Sequence, residues 1–361
     1  MTERKWFFSV ICIFLSLLIG LSAVTFFLDP FYFYRFNPEE KYLLNTNFSA
    51  AGLIKSYPYD SVIVGSSMVQ NFNMDSFRTK LNCSPLKVAF GGLRFKGLIR
   101  LMEKINERGT AENFFIATDQ HLFAAKLNMP TATGLPEHLY DDSSLNDYRY
   151  LLGYEALVKY IPTNAAIGVL QNASVKLPDK FARTMSVELI GYWQDDFTFG
   201  KEIVKRNYLH KDYAVSKIEN DNLKVSMRVN FEKLLDTLEL NSEKSYTLFF
   251  PPYSALHWAE LKANSPDVYV EFLSFKDFMY NECSKYDNIS VFDFQTIPEI
   301  CNLDLYKDSS HYDASLNEFM VDCFKNGMYK MDENSAKENE AALELLIDKF
   351  HEENADWFNA S

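Results

Sequence analysis

Hydrophobic positions along the chain fall into three kinds of pattern. The first is an unbroken apolar run at 6–28, WFFSVICIFLSLLIGLSAVTFFL, which carries no charge. As a helix it is long enough to cross a hydrocarbon core of about 30 Å. The second is a set of short apolar or β-branched runs bounded by turn residues, at 61–65, 86–90, 113–118, 245–250 and 289–294, which predict strands. Between them the apolar positions recur at helical spacing, at 68–81, 93–106, 225–240, 268–285 and 315–325. Strands and helices that alternate in this way predict an α/β fold, a parallel sheet covered by helices on both faces.

Three stretches depart from the alternation. Residues 29–57 are aromatic and irregular, and read as a connector between the apolar run and a main α/β domain at 58–330. Residues 124–224 hold Pro130, Pro136, Pro162 and Pro178 among aromatic segments, which predicts an inserted subdomain covering one end of the sheet. Residues 331–361 read as an acidic helix whose Leu/Ile/Phe stripe packs on the body or, alternatively, on a partner helix.

Charge sets the orientation and narrows the partners. Arg4 and Lys5 precede the apolar run and Asp29 and Pro30 follow it, so the positive-inside rule puts a short tail in the cytoplasm and the rest outside, on a single-pass anchor. A cleaved signal peptide is the competing reading, but the run exceeds a usual signal core and no A-x-A-like site closes it. A net charge of -13 and a pI near 5.0 argue against a broad electrostatic grip on nucleic acid. Cys12 lies in the apolar run, leaving Cys83, Cys283, Cys301 and Cys323. An oxidising compartment permits a bridge among the last three, yet irregular spacing without C-x-x-C indicates neither a disulfide scaffold nor a zinc site. No metal or cofactor is implied.

Candidate chemistry sits at strand ends, where open α/β sheets build their sites. In SVIVGSSMVQNF, Gly65 permits a tight exit turn, and Ser66 and Ser67 follow just before a predicted helix start. One serine can serve as a nucleophile whose developing charge meets the helix N-terminus, or the pair merely caps the helix from Met68. A nucleophilic serine needs a base, and the base an orienting carboxylate. In YKDSSHY, Asp308 precedes His311 by three residues, so the carboxylate can reach Nδ1 and leave Nε2 free; a polar surface loop is the plainer alternative. PPYSALHW at 251–258 also follows a predicted strand. There Tyr253 and Trp258 could stack on a sugar or acyl group and His257 could bind substrate, with loop packing as the alternative. Trp193, in GYWQDD, has the same two readings.

G-S-S after the first strand and D-x-x-H near the end of the chain resemble the first and last blocks of the SGNH (GDSL-like) hydrolase superfamily. The resemblance implies a flavodoxin-like three-layer α/β/α fold and an esterase, lipase or acyltransferase activity. It puts the nucleophile at Ser67, with Ser66 in place of the family's aspartate. It also puts an oxyanion-hole glycine in VAFGGLRFKG, at Gly92 or alternatively Gly91. The third block departs from the family: where an asparagine amide should donate to the oxyanion, FFIATDQHLF offers Asp119. Such a carboxylate must be protonated, turned away, or replaced in function by Gln120. Loss of one such donor costs about 10²–10³ in rate.

An N-terminal anchor, VGSSM, Asp119, FFPPYSALHW and DSSHYD, in that order over most of 58–330, further resemble membrane-anchored SGNH-like proteins of bacterial cell envelopes. These include the D-alanyl transfer protein of teichoic-acid modification and the acetyltransferase-like proteins of exopolysaccharide assembly. The resemblance implies an acylated envelope glycan or polymer as substrate, a membrane acyl-transfer protein as a partner, and a bacterial cell-membrane location. Its alternative is a catalytically inactive, tethered binding or assembly subunit, which Asp119 favours and intact Ser67, Asp308 and His311 oppose. A flavodoxin-like nucleotide or flavin binder would share the sheet, but the first loop lacks a phosphate-cradling glycine pattern.

Overall fold

In the computed structural model the described residues are 3–39, 42–124, 134–141, 143–210, 222–240 and 242–358. Parts of the predicted insertion at 124–224 and the last residues of 331–361 lie outside them. The chain divides into two compact units, Met1–Pro58 with Leu135–Ile190, and Tyr59–Gly134 with Gly191–Ser361. The division does not follow the expected insertion, because residues from Gly191 onward cluster with the sheet.

The larger unit contains five parallel strands, β1 (Ser61–Gly65), β2 (Pro85–Ala89), β3 (Asn113–Ala117), β4 (Ser245–Phe250) and β5 (Ile289–Asp293), in the order β2-β1-β3-β4-β5. Each lies within a residue of its predicted run. β1 and β2 are buried along their whole length, as strands covered on both faces must be. Register brings Gly65 opposite Ala89 and Ala117 opposite Phe249, so the carboxyl ends of β1 to β4 share one rim.

Helices differ from expectation at two places that matter. The helix predicted from 68 begins at Met74, capped by Asn73, whose side chain accepts from the Asp75 amide at 3.0 Å. Met68, Val69 and Phe72 are buried and so mimic its periodicity, but residues Ser67–Val69 form only a 3-10 turn. The serines are therefore followed by a short turn and not by the start of a long helix. Conversely, the stretch read as a loop at 251–258 contains the start of a helix, Ala255–Asn264, set by the N-cap Ser254. The C-terminal helix Ser335–Glu353 buries Leu343, Ile347 and Phe350 and packs against that helix and against Pro266–Cys283.

The smaller unit holds the apolar N-terminal helix, Glu3–Leu28, which is long and apolar enough to cross a membrane. The connector is less irregular than expected, for it folds into a helix, Thr46–Ser56, whose Gly52 lies so close to the Phe31 and Tyr32 backbone that a Cβ would clash with the Phe31 carbonyl. Asp29 organises the turn between the two helices. Its oxygens accept from the amides of Phe33 (2.9 Å), Tyr34 (2.8 Å) and Arg35 (2.9 Å) and from the Tyr150 hydroxyl (2.7 Å).

Candidate active site

The end of β1 is shaped by close approach. A Cβ on Gly65 would meet the Ala117 Cβ at 2.8 Å and the Val69 side chain at 3.1 Å, so only glycine lets β1 end against β3 with the next turn folded over it. Ser66 follows in extended conformation; its hydroxyl donates to Asp119 Oδ2 at 2.8 Å and accepts from the Met68 amide at 3.4 Å. That turn presents Ser67, half-buried, at the rim.

Ser67 Oγ lies 2.8 Å from His311 Nε2, and His311 Nδ1 lies 3.0 and 2.9 Å from the two carboxylate oxygens of Asp308. The spacing of three residues works because the loop folds back on its own carboxylate, with the amides of Ser310 and His311 donating to Asp308 Oδ1 at 2.9 and 2.8 Å. Burial opposes ionisation of Asp308. The His311 side chain and these amides outweigh it and hold the carboxyl well below the usual carboxylate range. An ionised Asp308 makes Nδ1 the donor and leaves Nε2 to accept from the Ser67 hydroxyl. These are the relations that activate a serine nucleophile.

Several contacts hold this arrangement in place. A bridge between Tyr306 and Tyr312 closes the loop, and the Tyr312 hydroxyl donates to the Met68 carbonyl at 2.7 Å. Trp193 donates through Nε1 to the Ser67 carbonyl at 3.3 Å and turns its ring edge-on to His311, with centroids 5.7 Å apart. Asn71 accepts from the Trp193 amide at 3.0 Å and donates to Gln194 Oε1 at 3.3 Å, which also accepts from the Ala314 amide at 2.8 Å. Trp193 thus supports the turn that carries Ser67, a role its short aromatic sequence context did not distinguish from packing.

The third block is arranged differently from expectation. Asp119 is buried and both its oxygens accept, Oδ2 from Ser66 and Oδ1 from the Leu122 amide at 3.0 Å, so it is no oxyanion donor. Gln120 does not substitute for it. Its amide forms a reciprocal pair with Gln295 at 2.9 and 2.8 Å, buried beneath the rim. Gly92 sits after β2 in a turn closed by the Leu93 amide and the Phe90 carbonyl at 3.1 Å, where its φ of 66° favours glycine.

The expected substrate contacts are likewise reassigned. Ser66 serves Asp119, and Tyr253, His257 and Trp258 are buried rather than open to a ligand. Tyr253 stacks on His257 with centroids 4.4 Å apart; His257 Nδ1 lies 3.1 Å from Ser310 Oγ and its Nε2 lies 3.3 Å from His121 Nε2. Ser254 donates through its hydroxyl to the Ser309 carbonyl at 2.5 Å. The block therefore grips the loop that carries Asp308 and His311. Burial, followed by the neighbouring His121, pushes His257 well below the ordinary imidazole range, and burial lowers His121 too.

Beside Asp308 opens a cavity of about 680 Å³ whose walls include Phe197, Ile203, Arg206, Asn207 and Lys307. Lys307 Nζ stands 3.6 Å from Asp308 Oδ2 and over the Phe197 and Trp193 rings at 3.9 and 4.9 Å. Sequence spacing gave no sign of this wall. Among the described residues no group of three His, Cys, Asp or Glu side chains is placed to hold a metal ion, and the five cysteines are unbridged. Compared with known proteins, the chain matches no family model, and no curated protein is a significant match.

Proposed function

We propose that this chain is a membrane-anchored, extracytoplasmic serine esterase or O-acyltransferase of SGNH type, acting on acyl groups of a bacterial cell-envelope polysaccharide or teichoic-type polymer. The observation that carries the reading is the continuous contact from Ser67 through His311 to Asp308. The strand order supports it, since doubly wound flavodoxin-like sheets run 2-1-3-4-5 and place ligands beyond their strand ends.

Ser67 Oγ attacks the acyl carbonyl carbon and its proton passes to His311 Nε2, while Asp308 stabilises the imidazolium. As the tetrahedral adduct collapses, His311 returns the proton to the departing alkoxide, leaving the acyl group on Ser67. Water or a sugar hydroxyl, deprotonated by His311, then attacks the acyl-serine and regenerates the enzyme. The Ser67 and Gly92 amides are the donors the family resemblance assigns to the oxyanion. Without a side-chain donor in the third block, a rate about 10²–10³ below a complete hole is expected.

That same third block favours a second reading, a tethered binding or assembly subunit without turnover. A fluorophosphonate probe separates the two on full-length, detergent-solubilised protein. Covalent labelling of the wild type that disappears in Ser67→Ala supports the enzyme; folded wild type that takes no label refutes it in favour of assembly.

A further inference from the structure

We propose that the helical segment 148–172 of the smaller unit is immersed in the outer leaflet of the membrane beside the anchor, with phospholipid covering its exposed face. The inference rests on the part of the preceding reading that makes Glu3–Leu28 a membrane span, and not on the chemistry of Ser67. At 1.5 Å per residue that helix is about 39 Å long, against a hydrocarbon core of about 30 Å.

One face of the last turns of the span is covered by protein. Thr25 is fully buried, and the helix packs against Tyr148–Leu151 and the π-helical turn Glu155–Tyr160. Thr25 precedes Leu28 by three residues, about 4.5 Å along the axis, so whatever covers it lies at the depth of the outer hydrocarbon boundary. The register is fixed, because the Tyr150 hydroxyl donates to the buried Asp29 that ends the span. Arg35 closes the same end, donating to the carbonyls of Phe26 (2.7 Å) and Phe27.

Much of the outward face of the segment is apolar, and its charge is confined to the end before residue 160. Between Lys159 and Lys176 there is no charged residue, in a chain where charged residues make up 24%. Tyr154 (68%), Val158 (59%) and Val169 (68%) are exposed along this stretch, where Lys159 is paired with Glu155. A solvated helix would carry charged groups along its length, whereas an interfacial one presents apolar residues with tyrosines and a few polar groups at the headgroups. Continuity with the span selects lipid over a soluble protein. Leu28 and Pro30, where the anchor ends, line one groove of about 250 Å³ together with Ile161, Ala165 and Gly168, a volume that part of an acyl chain would fill.

The test places p-benzoyl-phenylalanine in the full-length chain at Val169, at Tyr154, at Ile13 within the anchor, and at Leu345, which is exposed in the larger unit. Each protein is irradiated in phosphatidylglycerol and phosphatidylcholine nanodiscs and its adducts are read by mass spectrometry. Lipid adducts at Ile13, Val169 and Tyr154, but not at Leu345, are expected. Adducts at Ile13 with none at Val169 or Tyr154 overturn the proposal while leaving the anchor intact. Loss of adducts at Ile13 as well removes the span and the proposal with it. Adducts at Val169 to protein alone assign the face to a partner chain and refute lipid.

Discussion

The two sides of Ser67 contrast. Toward the imidazole, every polar atom has a partner that raises nucleophilicity: Asp308 is buried, ionised and gripped by two amides, and His311 bridges it to the hydroxyl. Toward the third block, the side chains that would stabilise a developing oxyanion serve the scaffold, Asp119 accepting from Ser66 and Gln120 paired with Gln295. In the proposed reaction one side would activate the hydroxyl, and the other offers backbone donors at most. The comparison teaches that acyl-serine formation, not activation of the hydroxyl, is where this site is expected to be slow.

The largest test of that asymmetry is Asp308→Asn. With the carboxylate gone, His311 loses its orienting anion, and hydrolysis of a chromogenic acetyl ester is expected to fall about 10³–10⁴-fold in kcat. A loss under tenfold would mean that the complete side is not engaged in turnover. Asp119→Asn probes the other side. Since Asp119 faces Ser66 and Leu122, kcat/KM is expected to change by less than about tenfold; a gain near 10² would place residue 119 against the oxyanion after all. The smallest effect belongs to the buttress behind the loop. His257 and His121 stay neutral in the folded protein, so as pH falls through about 6.5 the unfolded chain takes up protons first and stability declines. In His257→Gln this acid-side fall in melting temperature is expected to be shallower, with turnover at neutral pH reduced only a few-fold; an unchanged pH profile would show that the pair carries no such linkage.

What could be read from sequence was local. Strand positions follow from short apolar runs, and the Asp308–His311 contact follows from a spacing that one turn of chain satisfies. The helix misplaced at Met68 shows the weakness of the same logic: Met68, Val69 and Phe72 are buried by tertiary packing and so imitate amphipathic periodicity. Contacts made across the chain left no trace. Ser66 meets Asp119 across 53 positions, Trp193 meets Ser67 across 126, and Gln120 meets Gln295 across 175. Residue type alone therefore suggested Asp119 as an electrostatic obstacle and Tyr253, His257 and Trp258 as ligand contacts, whereas burial makes the first an anchor for a neighbouring hydroxyl and the others a brace.

The pairing of Ser67 with His311 bridges 244 positions, and the serine's own carbonyl is held by a tryptophan that emerges from the ribosome more than a hundred residues later. During synthesis the Ser67 hydroxyl therefore lacks its imidazole partner until the chain has been extended to His311. Whatever reactivity that pairing gives the serine is thereby deferred until most of the polypeptide exists.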